Sequence, residues 1–230
     1  MERLVSYRLD GAVASIIMDD GKVNAMSPDM IAELNDALDR AEADRAVVLL
    51  TGRDGVLSAG FDLPLLRAGG SAAIAMVRSG FELAARVLSF PRPVVIACNG
   101  HAVAMGVFLL LSGDYRIGVA GPYKLVANEV AIGLTMPSAA VEILRQRLTP
   151  AYFNRAAILS EPCPPEHAVD AGFLDRVVEA AQLQGVARGV ADALSALDEQ
   201  AHAESKLRAR RPALDAIRAG IDADQAALRL

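Results

Sequence analysis

The chain has no tryptophan, and aromatics make up 4% of its 230 residues. Stacking platforms for single-stranded nucleic acid are therefore not expected. A net charge of −5 also argues against general nucleic-acid binding, although a local basic patch could hold a phosphate-bearing cofactor. Cysteine occurs only at 98 and 163, with no metal-like spacing, and Cys98 sits in an apolar run that reads as a buried free thiol. His101, His167 and His202 are scattered and form no HExxH, so no metal site is expected. Neither a P-loop nor GxGxxG is present. No apolar run reaches the roughly 18 residues of a membrane helix, so no membrane partner is expected. The chain starts Met1-Glu2-Arg3 and runs directly into a strand pattern without a secretory signal, which makes a cytoplasmic protein the expectation.

What is present is apolar: 53% of residues, against 22% charged, which excludes global disorder. The length suits one sizeable α/β core. Residues 4–9 and 12–18 read as strands around Asp10-Gly11. Ser27-Pro28 opens a helix whose stripe is Met30, Ile31, Leu34, Ala37, Leu38 and Ala41. Residues 47–51 and 93–98 are continuous apolar strands, as in a sheet covered on both faces. A helix is expected over about 72–88, then a turn at Asn99-Gly100, a short apolar helix over about 105–111 and a strand over 114–119. A short extended piece at 123–126, helices near 137–147, 150–159 and 165–171, and a brief strand at 177–178 follow. This alternation implies a parallel sheet. The chain divides into a core, residues 1–179, and a helical region, residues 180–230. The helical region carries Leu183, Val186, Val190, Leu194, Leu197, Leu207, Leu214, Ile217 and Ile221. These are more apolar residues than one core of this size is expected to cover, so a neighbouring subunit is anticipated.

Two Gly-containing turns carry the candidate chemistry. In Ser58-Ala59-Gly60-Phe61-Asp62-Leu63, Gly60 permits a sharp turn that presents the Phe61 N–H; the alternative is a plain strand-to-helix connection with Asp62 as cap. In the segment from Asn99 to Gly106, the N–H groups of Met105 and Gly106 are expected to be free at a helix start, where the dipole favours negative charge; the alternative is close packing of a core helix. Two such N–H groups aimed at one oxygen stabilise negative charge that develops on it. Glu129 lies in a nearly uncharged run, Leu125 to Gly133, which should raise its pKa and suit it to proton transfer. Its alternative is an ion pair, for example with Lys124. His101 follows the second turn, but no Ser or Cys nucleophile stands in a recognisable setting beside it.

In this order and at these spacings the segments resemble the crotonase, or enoyl-CoA hydratase/isomerase, superfamily. Ser58 to Leu63 resembles its SAGxDL motif and Asn99-Gly100-His101-Ala102 its NGxA segment. Ser112 to Arg116 resembles its "cDxria" strand start, Glu129 to Leu134 its PExxlGl stretch, and Lys22 to Met26 its early NALN segment. The resemblance implies a spiral of ββα units with a C-terminal helical region that drives a homotrimer or dimer of trimers. It implies an acyl-CoA thioester as substrate and no resident cofactor. The oxyanion hole would be the N–H groups of Phe61 and Met105, with CoA and substrate against Val23, Ala25, Ala59, Gly60, Asp62, Leu63, Gly106 and Phe108. Two departures stand out. The family's GGG is here Ala104-Met105-Gly106, and the Met105 side chain is expected to narrow the pocket. The family's first catalytic Glu aligns with Phe108, whereas the second aligns with Glu129.

With one carboxylate, the resemblance favours double-bond isomerisation. That reaction takes a proton from C2 and returns it to C4, and an apolar wall helps by excluding water. Enoyl-CoA hydration, thioester hydrolysis and non-catalytic CoA-ligand binding are the alternatives.

Overall fold

The computed structural model describes residues 3–227. Strands β1 (Val5–Asp10) and β2 (Val13–Met18) form an antiparallel hairpin, Val5 opposite Met18. Helix α1 (Pro28–Ala43) follows; the Ser27 hydroxyl accepts the Met30 N–H at 3.1 Å, and the stripe from Met30 to Ala41 is buried as the sequence pattern requires. Next come β3 (Val47–Thr51), β4 (Gly55–Ser58), α2 (Leu63–Ala68), α3 (Gly70–Ser89), β5 (Val94–Cys98), β6 (Gly100–Val103) and α4 (Met105–Ser112). Then β7 (Tyr115–Val119), β8 (Leu125–Val126), a 3₁₀ turn at Val130–Ile132, α5 (Ser138–Arg145), α6 (Pro150–Leu159), α7 (Pro165–Ala171) and β9 (Arg176–Val178) complete the core.

Three times, consecutive strands split between two sheets. β3, β5 and β7 enter a six-stranded sheet of order β1-β2-β3-β5-β7-β9; β4, β6 and β8 form a separate three-stranded parallel sheet in that order. Helices following these strand pairs make the repeated ββα unit of a crotonase spiral. Within the small sheet, β4 and β6 run so close that a Cβ on Gly100 would lie 1.9 Å from the Gly55 carbonyl carbon. Asn99-Gly100, expected to be a turn, is where β5, ending at Cys98 in the large sheet, passes directly into β6 of the small one. The sequence reading also missed β4 and α2, because a four-residue strand and a six-residue helix carry too little periodicity.

The large sheet is covered on both faces. On one face β3 and β5 pack Val48, Leu50, Val94 and Ile96 against α1, α3 and α4. On the other, Val47, Leu49, Val95 and Ala97 meet α8 (Leu183–Ser195). Helix α9 (Glu199–Ala227) lies along α3 and α5. This corrects the expectation for the tail. Leu183 and, on α9, Leu214, Ile217 and Ile221 are buried within their own chain, and Val186, Val190 and Leu194 pack partly buried on the sheet; of the nine, Leu197 and Leu207 are exposed. Other exposed apolar side chains include Val130, Ile132 and Leu134 at the 3₁₀ turn and Ile158 and Leu159 at the end of α6, segments joined by the Ala131 N–H donating to Ser160 Oγ at 3.2 Å.

Candidate active site

The parallel strands β4, β6 and β8 end together, Ser58 beside Ala102 and Val103 beside Val126. Their C-terminal ends release the three segments of interest side by side: Ala59–Phe61, Ala104–Met105 and Ala127–Glu129. The Ala104 N–H donates to Val126 O at 2.8 Å and fastens the second to the third.

The loop at 20–26 lies against the first. The Asp20 carboxylate gathers the N–H groups of Lys22, Asn24 and Ala25 at 2.7–2.9 Å. Burial works to raise its pKa, but those bonds hold it below the usual value. Asn24, buried at φ 53°, donates to Met18 O at 2.9 Å and Leu57 O at 3.1 Å, and its own carbonyl accepts the Ser58 hydroxyl at 2.6 Å. The Ala59 N–H reaches Val23 O at 3.0 Å, and the Met26 N–H reaches Gly60 O at 2.8 Å. Val23, Ala25, Ala59 and Gly60 are thus neighbours, Val23 exposed and Ala25 and Ala59 half-buried. The Met26–Phe61 bridge uses the Gly60 carbonyl, and among the described residues the Phe61 N–H has no acceptor.

Gly60 has φ +95°, and a Cβ there would come within 2.8 Å of Ala104 Cβ and 3.4 Å of the Met105 nitrogen. Only glycine lets the two turns close this far. Ala104 itself sits at φ 49°, ψ −123°, a conformation costing a non-glycine residue about 1–3 kcal/mol. The strain sits one residue before the Met105 N–H, which starts α4 without a side-chain cap and without an acceptor among the described residues. Gly106 packs on Ser58, where a Cβ would lie 2.4 Å from the Ser58 carbonyl oxygen.

The side chains of Phe61 and Met105 turn towards α3. A Cβ on Gly80 would lie 2.4 Å from the Phe61 ring and 3.5 Å from Met105 Sδ. Met105 is fully buried in this contact, so it belongs to the wall against α3 and not to an obstruction in open space. Phe61 meets Phe81 edge-on at 6.1 Å, and Phe81 meets Phe108 at 5.8 Å. Phe108 is fully buried as the far member of this aromatic row.

Glu129 is 7% exposed. Its Oε2 is buried and has no hydrogen-bond partner. Burial pushes its pKa up to about 7, and contact with its own backbone N–H draws it down only in part. The ion pair with Lys124 does not form. The Glu129 carbonyl accepts the N–H groups of Ile132 at 3.1 Å and Leu134 at 2.9 Å, which fixes the turn carrying the side chain. An isolated carboxylate poised near neutrality can take up and release a proton.

Asp62 caps α2, accepting the Leu65 N–H at 2.8 Å, and the next residue, Leu63, is exposed. His101 accepts the Lys124 N–H at 3.2 Å and lies edge-on to Tyr123 at 5.3 Å, a structural setting. Sequence reasoning missed Asp20, Asn24 and Ala104, which shape the site through backbone geometry. A run of Asp20, Gly21 and Asn24 was the available signal. A cleft of about 580 Å³ opens between α1 and α3, lined by Ile31, Ala72, Met76 and Leu83, and none of the site residues faces it.

A family profile described as enoyl-CoA hydratase/isomerase matches residues 8–229. The chain belongs to that family. The apo structure of an enoyl-CoA isomerase from Mycobacterium tuberculosis is 47% identical, with TM-score 0.95 over 99% of this chain and 100% of that one. A structure described as an enoyl-CoA hydratase from Mycobacterium marinum is 48% identical, with TM-score 0.94 over 98% and 99%. A peroxisomal enoyl-CoA delta isomerase 2 of Arabidopsis thaliana is 34% identical over 158 residues, which span 64% of this chain and 66% of that protein. Acyl-CoA chemistry on a crotonase fold follows from the family; isomerases and hydratases both occur among these relatives. Among the described residues no helix is long and apolar enough to cross a membrane.

Proposed function

We propose that the protein is an enoyl-CoA isomerase that moves a Δ3 double bond to Δ2. The observation carrying this reading is Glu129: one buried, unpartnered carboxylate with its pKa near 7, while the aligned second position holds Phe108 in an aromatic row. The thioester oxygen accepts hydrogen bonds from the N–H groups of Phe61 and Met105. Glu129 removes a proton from C2, and the electron pair spreads through the dienolate to that oxygen. The same carboxyl returns the proton to C4, so no atom is gained or lost. Hydration would need a second group to hold and activate water, and a phenyl ring supplies none.

In this reading CoA runs past Val23, Ala25, Ala59 and Asp62 and the acyl part past Leu63, Gly106 and Phe108. The chemistry calls for neither metal nor redox cofactor. A homotrimer or dimer of trimers in the cytoplasm is part of the proposal. The exposed apolar patch at Val130, Ile132, Leu134, Ile158 and Leu159 supports the assembly, because a surface of that kind calls for a cover. The test is incubation with 3-enoyl- and 2-enoyl-CoA thioesters, with products resolved by mass. Conversion of the 3-enoyl substrate without mass change is expected. Water addition to the 2-enoyl substrate as the faster reaction would replace this reading with hydration.

A further inference from the structure

The two candidate oxyanion donors are aimed in different ways. A trans peptide is planar, so its C=O and the following N–H point in opposite directions. Whatever grips the carbonyl therefore aims the N–H. For Met105 the grip comes from its own helix: Ala104 O accepts the N–H groups of Val107 at 2.9 Å and Phe108 at 3.2 Å. For Phe61 it comes from another part of the chain. Gly60 O accepts the Met26 N–H at 2.8 Å, and Met26 ends the loop that begins at Asp20.

The Met26 side chain is anchored in the core, but the backbone leading into it has few apolar anchors. Gly21, Lys22 and Val23 are exposed, and buried Asn24 holds a φ of 53°. The order of this stretch rests on polar bonds, and Asp20 is their centre. Its Oδ1 accepts the N–H groups of Lys22 at 2.7 Å and Asn24 at 2.8 Å, and its Oδ2 accepts the Ala25 N–H at 2.9 Å. Its own N–H donates to Asn24 Oδ1 at 3.0 Å. Bonds from backbone N–H to a carboxylate are among the stronger kind. The ordered loop then takes hold of the donor segment. Val23 O accepts the Ala59 N–H at 3.0 Å, Asn24 O accepts the Ser58 hydroxyl at 2.6 Å, and Ser58 Oγ accepts the Gly60 N–H at 3.1 Å. An unbroken run thus leads from the Asp20 carboxylate to the Ala25 N–H, along the backbone to the Met26 N–H, across to Gly60 O and through that peptide plane to the Phe61 N–H.

We propose that Asp20 is a positioning residue of the oxyanion hole: it holds its loop so that the Met26 N–H grips the Gly60 carbonyl and turns the Phe61 N–H towards the thioester oxygen. This rests on Phe61 and Met105 as the donors, and not on which reaction follows. Asp20 touches no reacting atom and acts through the backbone alone. Because the Met105 N–H is aimed by its own helix, loss of Asp20 weakens one donor and spares the other.

Asp20→Asn tests this. Its amide oxygen can keep the bonds to Lys22 and Asn24, while its NH2 group meets the Ala25 N–H donor against donor. The readout is the infrared stretch of an isotope-labelled thioester carbonyl in butyryl-CoA bound to the enzyme. Butyryl-CoA is saturated, so the band reports the donors whether the enzyme isomerises or hydrates. In the wild type two N–H donors should lower the band below that of free butyryl-CoA. In Asp20→Asn about half of that lowering should remain, and kcat on saturating 3-enoyl-CoA should fall by about 10–10²-fold, up to the low end of losing one donor. Ser58→Ala, which releases the Gly60 N–H and the Asn24 carbonyl, should move the band the same way and decides the matter if Asp20→Asn does not fold. A merely structural Asp20 would lower Tm and weaken acyl-CoA binding, yet leave the bound carbonyl band and the saturated kcat at their wild-type values; that result would overturn the proposal. A wild-type band equal to that of free butyryl-CoA would remove Phe61 and Met105 as donors, and the proposal with them.

Discussion

Gly60 and Met105 follow different strands, β4 and β6, yet a methyl group on Gly60 would stand 3.4 Å from the Met105 nitrogen and 2.8 Å from Ala104 Cβ. The spacing of the two candidate oxyanion donors is set by this contact. Gly60→Ala should cut kcat by about 10²-fold or more, comparable to losing one donor, with the fold retained by circular dichroism. Ala104→Gly removes the methyl it strikes and relieves the φ of 49°, so the double variant should recover part of the loss. Additive effects in kcat would mean that the two turns do not act as a unit.

Glu129→Gln should lower isomerase kcat by about 10²–10⁴-fold with little change in CoA affinity. In the wild type kcat/KM should rise with pH through about 7, because the base form is the carboxylate. The same substitution should stabilise the fold at alkaline pH. Below about pH 4.5 the carboxyl is neutral in both folded and unfolded states. Above that the unfolded chain ionises first, and the folded state loses relative stability until pH passes about 7. The variant escapes that penalty, up to about 3 kcal/mol at pH 8, since each unit is worth about 1.4 kcal/mol. Unfolding midpoints at pH 4.5 and pH 8 check the sign. Equal differences at both would place the Glu129 carboxyl in water.

Phe108→Glu should shift products from isomerised towards hydrated thioester, by supplying the missing water partner. It should also cost about 3–5 kcal/mol, because it removes a ring 5.8 Å from Phe81 and buries a carboxyl. An unchanged product ratio in a folded variant would remove Phe108 from the site.

Light scattering should give a trimer or a multiple of it. Ile132→Lys with Leu159→Lys should lower the mass towards that of one chain, since both residues stand exposed in the patch beside Glu129. Removing the chain from residue 204 should cause aggregation by uncovering the core beneath Leu214, Ile217 and Ile221. A soluble, active protein after that deletion would contradict the packing of α9.

The sequence carried the long elements well. The stripe of α1 was legible because 16 residues hold several helical periods, and α6 and α7 open on prolines, which favour the first helical position. The second sheet was only partly legible: the extended piece expected at 123–126 holds β8, but β4 has four residues, and Asn99-Gly100 has the composition of a turn although the chain passes there from one sheet to the other. Glu129 stood out as a carboxylate in apolar surroundings. That its Oε2 lacks a partner depends on which segments converge there, which spacing along the chain does not encode. The apolar stripe of α9 was visible too, but its cover is α3 and α5 of the same chain, a choice made by tertiary packing.

The central claim is that one carboxyl both takes and returns the proton. The direct measurement is a single turnover of a 3-enoyl-CoA deuterated at C2, in ordinary water, followed by locating the label in the product. A proton held by buried Glu129 predicts that a measurable share of the deuterium reappears at C4. Product with no deuterium at C4, together with a Glu129→Gln variant that still isomerises, would contradict the account.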